Sequence, residues 1–97
     1  MQKKKEMVRF KLLRWNKLIE LLEIIVHYRI SGDEVKKFEK AIGESRNQLD
    51  RLTRKYEKIA DNNIRSIDAV GEKTQDRIYE IKDMIVIADS IARNNEH

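Results

Sequence analysis

From Met7 to Ile30 the chain reads MVRFKLLRWNKLIELLEIIVHYRI, its most apolar stretch. Val8, Leu12, Trp15, Ile19, Leu22 and Val26 recur at steps of 4, 3, 4, 3 and 4, which puts them on one stripe of a helix. Met7, Leu18, Leu21 and Ile25 widen that stripe on one side. The apolar arc then covers roughly half the circumference at 100° per residue, more than a two-stranded seam needs. A helix of this kind has neighbours on more than one side. Arg9, Asn16, Glu20, Glu23 and His27 share the opposite, polar face, and Leu13 and Ile24 fall inside it as misfits.

Ser31-Gly32-Asp33-Glu34 is the clearest break. Glycine suits the left-handed conformation that ends many helices. Ser31 or Asp33 is placed to accept from the free N–H groups of the next helix, and Ser31 with Glu34 has capping-box spacing. So short a turn predicts that the first two helices are antiparallel neighbours.

A second stripe follows as Val35, Phe38, Ile42, Ser45, Leu49, Leu52, Tyr56 and Ile59. A third runs as Ile64, Ile67, Gly71, Thr74, Ile78, Ile81, Ile85, Ala88 and Ala92. Between Ile59 and Ile64 the step is 5, which no single heptad register accommodates. Either Asp61-Asn62-Asn63 is a turn, since Asn and Asp suit caps and left-handed conformations, or one long helix continues through a stutter. The turn is preferred because it yields three segments of similar length, near 5–30, 34–60 and 64–94. A further break at Gly71 to Thr74, giving four helices, ranks below it.

The expected fold is all-α: one domain over residues 1–97, an antiparallel three-helix bundle with coiled-coil-like heptad packing. The alternative is a helical hairpin with one long arm, completed by dimerisation. Composition agrees with either. Charged residues make up 39% of the chain, with Pro 0 and Gly 3 leaving little to punctuate strands. Cys 0 removes thiolate metal sites and cysteine nucleophiles and fits a reducing compartment, so a cytoplasmic location is expected. Charges within the apolar run, Glu20 and Glu23 among them, set it apart from a signal peptide or a membrane span.

Charge collects at one end. Residues 1–17 carry Lys3, Lys4, Lys5, Arg9, Lys11, Arg14 and Lys17 against Glu6 alone, a net of +6. Residues 46–58 carry Arg46, Arg51, Arg54, Lys55 and Lys58 against Asp50 and Glu57, a net of +3. An antiparallel turn at Gly32 brings the two groups together. A third helix folded back near Asn62 adds balancing charges, so the pole stays strongly basic. Such a pole attracts nucleic-acid phosphates, lipid head groups or an acidic protein. The candidate polyanion-binding residues are Lys3, Lys4, Lys5, Arg9, Arg14, Lys17, Arg51, Arg54, Lys55 and Lys58. The competing explanation is a solvated helical surface. Base-specific recognition has no motif to carry it. Phe10 and Trp15 among basic residues have the look of an interfacial helix, but Trp15 lies mid-stripe, where a core role fits better than a membrane surface.

Glu20, Glu23 and His27 lie on one face, yet the Glu-x-x-x-His spacing occurs once and points away from the stripe, unlike the inward sites of metal-binding bundles. Nothing places a nucleophile or paired carboxylates in a pocket. The expectation is therefore a non-enzyme with no catalytic residue, metal or cofactor. Arg46-Asn47-Gln48-Leu49-Asp50 with Tyr56 resembles the Ser-Gln-Glu-Leu-Asp element and later tyrosine of the small helical-hairpin aspartyl-phosphate phosphatases of spore-forming bacteria. Leu49, Asp50 and Tyr56 match, whereas Arg46 and Asn47 replace Ser and Gln. The stripe already accounts for Leu49 and Tyr56, so no site role is carried over.

Ile24 on the first helix, and Val86 and Ile87 on the third, lie off the main seams at the same height of a three-helix bundle. Exposed apolar patches mark contact surfaces, so these three are the candidate interface of a homodimer or a protein partner. The functional expectation is a helical interaction module that self-associates and binds a partner protein. Nonspecific nucleic-acid binding through the basic pole is the alternative.

Overall fold

A computed structural model describes residues 3–60 and 63–95, with side chains in 4–60 and 63–94. Three helices, α1 (Lys3–Arg29), α2 (Asp33–Lys58) and α3 (Ile64–Asn95), each pack against the other two. The result is a rod of 57 × 19 × 17 Å in which α2 runs antiparallel to α1 and α3. The stripes read from the sequence form its axis. Val8, Leu12, Trp15, Ile19, Leu22 and Val26 meet Phe38, Ile42, Leu49 and Leu52 of α2 and Ile64, Ile67, Ile78, Ile81 and Ile85 of α3 in one buried cluster. Each aliphatic side chain buried in this way contributes about 1.5–3 kcal/mol. Ser45 and Thr74 keep the register as buried polar members, and Thr74 satisfies its hydroxyl by donating to the Val70 carbonyl at 3.0 Å.

The first turn departs from its expected chemistry. Ile30 N–H still donates to the Val26 carbonyl at 3.3 Å. Gly32 then takes φ 73° and ψ −150°, immediately before α2, and no side chain caps that helix. This is a glycine-only region of backbone space, distinct from the left-handed helical one. The reversal is therefore made by the backbone of Gly32 rather than by Ser31, Asp33 or a Ser31–Glu34 capping box.

The second connection is a turn, which removes the stutter. Ile59 leaves α2 with an extended φ of −89° and ψ of 146°. Asn63 N–H donates to the Ala60 carbonyl at 2.9 Å, and Ser66 Oγ to the Asn63 carbonyl at 3.1 Å, at the start of α3. Asp61 and Asn62, predicted as part of this turn, lie outside the described residues. The helices are not of equal length. α3 has 32 residues against 27 and 26, and Asp89 is already level with Arg29, so its last turns overhang the Gly32 turn.

Gly71 does not break α3. The Trp15 indole occupies the space a side chain would need: a Cβ on Gly71 would lie 2.6 Å from its Cζ3 and Cη2. Trp15 is 1% exposed, and its Nε1–H donates to Gln75 Oε1 at 2.8 Å. On the side of α1 that faces α2, Tyr56 Oη donates to the Lys5 carbonyl at 3.0 Å, and Lys5 Nζ donates to the Ile59 carbonyl at 3.3 Å. Lys5 thereby satisfies one of the free carbonyls that end α2. Tyr56 thus has a structural role in holding the two chain segments together.

Candidate interaction surfaces

The antiparallel packing brings residues 5–17 alongside 46–58, and the Lys5 contacts with Tyr56 and Ile59 mark the junction. Three cations of this end are engaged. Lys5 sits over Tyr56 with Nζ 5.1 Å from the ring centre. Lys11 Nζ lies 2.9 Å from Asp68 Oδ1 and 3.1 Å from Glu72 Oε1 on α3. Hydrogen bonds to Asp68 first, and then to Glu72, raise the Lys11 pKa above its ordinary value against a smaller opposing effect of burial. Arg46 pairs with Glu23, tying α2 to α1.

Of the other candidate cations, Lys4, Arg9, Arg14, Lys17, Arg51, Arg54, Lys55 and Lys58 are exposed. None of them makes an ion pair among the described residues. The side chain of Lys3 lies outside the described ones. These cations do not converge on one face. One turn beyond Lys5, Arg9 faces the α2 side; Arg14 follows Lys11 on the α3 side; Lys17 points straight out. Arg51, Lys55 and Lys58 are rotated roughly 120–180° from Arg46, which marks the α1 side of α2. The basic charge rings the end of the rod.

The largest departure from expectation lies on α1. Phe10, Leu13, Leu21, Ile24 and Tyr28 are 69%, 56%, 56%, 52% and 78% exposed, and Met7 beside them is 60% exposed. With Lys17 in the middle they follow steps of 3, 4, 4, 3 and 4. At 100° per residue this second stripe is centred opposite the first. Leu18 and Ile25 pack at the margin of the core as expected, but Met7 and Leu21 face outward instead. α1 is therefore apolar on both sides. The same projection of the sequence contains this signal, since Leu13 and Ile24 stand out within the polar face.

Ile24 and Val86 line, with Ile25, Tyr28 and Lys82, a groove of about 450 Å³ between α1 and α3. Ile87, 60% exposed, lies outside that groove. Between α1 and α2 a second groove, of about 390 Å³, has Glu23, His27 and Glu39 on its walls. The Glu23 carboxylate is taken by Arg46, and the His27 ring packs edge-on against Tyr28 with centroids 4.8 Å apart. Among the described residues no three His, Asp or Glu side chains gather closely enough to hold a metal ion. No helix among them is long and apolar enough to cross a membrane.

Comparison with protein-family models, curated proteins and solved structures finds no match to this chain.

Proposed function

We propose that this chain is a non-enzymatic helical interaction module that self-associates through the outer face of α1 and binds a partner protein. The observation that carries this reading is the second stripe, with five large apolar side chains more than half exposed along one helix face. Contiguous exposed apolar surface beyond a few hundred Å² marks contact sites in soluble proteins. The first stripe already buries one side of α1, so the outer one contributes nothing to the bundle itself. It is surface kept apolar at a cost in solubility. The cysteine-free composition supports placing the protein in the cytoplasm.

Binding of polyanions is a second reading, supported by the eight exposed cations that lack an ion pair among the described residues. Their arrangement around the rod suits diffuse attraction better than a shaped site. Light scattering after size-exclusion chromatography, with and without duplex DNA at low and moderate salt, separates the two. Apolar self-association persists as salt rises, whereas binding through several phosphates collapses steeply. A monomer at every salt concentration, with salt-sensitive DNA binding, would favour the second reading over the first.

A further inference from the structure

We infer that the outer face of α1 docks on the same face of a second copy of this chain, in antiparallel orientation about a two-fold axis between Lys17 and Glu20. This rests on the self-association proposed above and specifies its geometry.

Three observations on α1 lead there. The first is area. Met7, Phe10, Leu13, Leu21, Ile24 and Tyr28 are all more than half exposed, on the order of 700 Å² per copy, close to the roughly 800 Å² each partner contributes to a stable interface.

The second is the order of the side chains. The stripe reads nearly the same from either end: Phe10, Leu13 and Lys17, then Leu21, Ile24 and Tyr28. In an antiparallel pair of helices, positions whose numbers sum to a constant lie opposite each other. Around the middle of this stripe that sum is 37 to 38. Leu13 of one copy then meets Ile24 of the other, and Phe10 is level with the His27–Tyr28 ring pair, twice each by symmetry. Phe10 completes an aromatic cluster that the monomer leaves open on one side.

The third is charge. Residues 3–17 hold seven cations against Glu6, net +6, whereas residues 18–30 hold Glu20 and Glu23 against Arg29, net −1. Parallel docking would superpose the two strongly basic halves and set Lys17 against its own copy. Antiparallel docking lays each basic half over a weakly acidic one and sets Lys17 beside Glu20, again twice. Like charges facing each other across an interface are costly, and complementary ones fix the register. α1 then lies between its own α2 and α3 on one side and a second α1 on the other, which accounts for a helix apolar on opposite faces.

The absence of cysteine from the sequence makes the geometry directly measurable. Chains carrying Phe10→Cys and Tyr28→Cys, both at exposed positions, are mixed and treated with a short bis-maleimide, and the linked species are identified by mass. Circular dichroism confirms that each variant keeps its helix content, and sedimentation equilibrium reports mass on the same samples. The expected product is the 10-to-28 heterodimer, at least tenfold over either homodimer. In the antiparallel pair, position 10 and its own copy are roughly 25–30 Å apart along the axis at 1.5 Å per residue. Predominant 10-to-10 and 28-to-28 products would overturn the antiparallel geometry while leaving self-association standing. A sedimenting dimer without any of these links would place the contact on another face. A monomer at all concentrations would overturn both this inference and the self-association beneath it.

Discussion

Trp15 and Gly71 are matched across the α1–α3 interface: the indole fills the volume that any side chain at 71 would occupy, with only 2.6 Å between its Cζ3 and Cη2 and a Cβ placed there. The ring is buried and held through Nε1 by Gln75. Gly71→Ala therefore loses stability by about 1–3 kcal/mol of overpacking, offset in part by the roughly 1 kcal/mol that alanine gains over glycine within a helix. Gly43 is the control. A Cβ there meets nothing within 4 Å, so Gly43→Ala raises stability by about 0.5–1 kcal/mol. Urea denaturation of the two variants should shift the midpoint in opposite directions. Equal shifts would mean that the indole does not rest on Gly71.

At the α1–α2 turn the expected effect is one of backbone alone. A side chain at Gly32 would touch nothing, but φ 73° with ψ −150° is open only to glycine. Gly32→Ala should cost about 1–3 kcal/mol, whereas Ser31→Ala should change stability by less than about 0.5 kcal/mol because no side chain caps α2. A larger loss at Ser31 than at Gly32 would restore the capping box.

Lys11 joins α1 to α3 through two partly exposed carboxylates. Pairs of this kind contribute up to about 1 kcal/mol, so Lys11→Met should lower stability by no more than that at pH 8. Because the folded-state pKa is raised, the contribution is fully present below the ordinary lysine value, about 10.4, and is lost as pH rises through the raised one. Urea midpoints of the variant and the parent protein should converge above that value. A gap that widens with alkalinity would contradict the assignment.

Much of the fold is legible in the sequence because burial along a helix repeats at 3 and 4 residues. Leu49, Ile78 and Ile81 fall on their stripes and are fully buried, and the five-residue step from Ile59 to Ile64 locates the second connection. What escapes the pattern depends on partners distant in the chain. Gly71 and Thr74 look like a break until Trp15, more than fifty residues earlier, is placed against them. Ser31 and Glu34 have the spacing of a cap, but Gly32 turns the chain before their side chains can serve. The outer face of α1 is legible only in part, through Leu13 and Ile24. Met7 and Leu21 border the core stripe closely enough to be read as part of it, and only the positions of α2 and α3 show that they face away. The grouping of Lys5 with Tyr56 and Ile59 follows from the antiparallel turn. The outward spread of the remaining cations follows from the rotation of each helix, which charge counting ignores.

The reading of α1 as a docking helix rests on its outer face, and sedimentation equilibrium over a wide concentration range tests it most directly. The parent protein should approach twice the chain mass. Ile24→Asp, which places a charge within the outer stripe at the position that meets Leu13 of the other copy, should weaken association by at least tenfold while thermal unfolding followed by circular dichroism stays close to that of the dissociated parent. Ile87→Asp, on a different face of α3, should leave association nearly unchanged. A parent chain that remains monomeric at the highest concentration, or a dimer indifferent to Ile24→Asp, would contradict it.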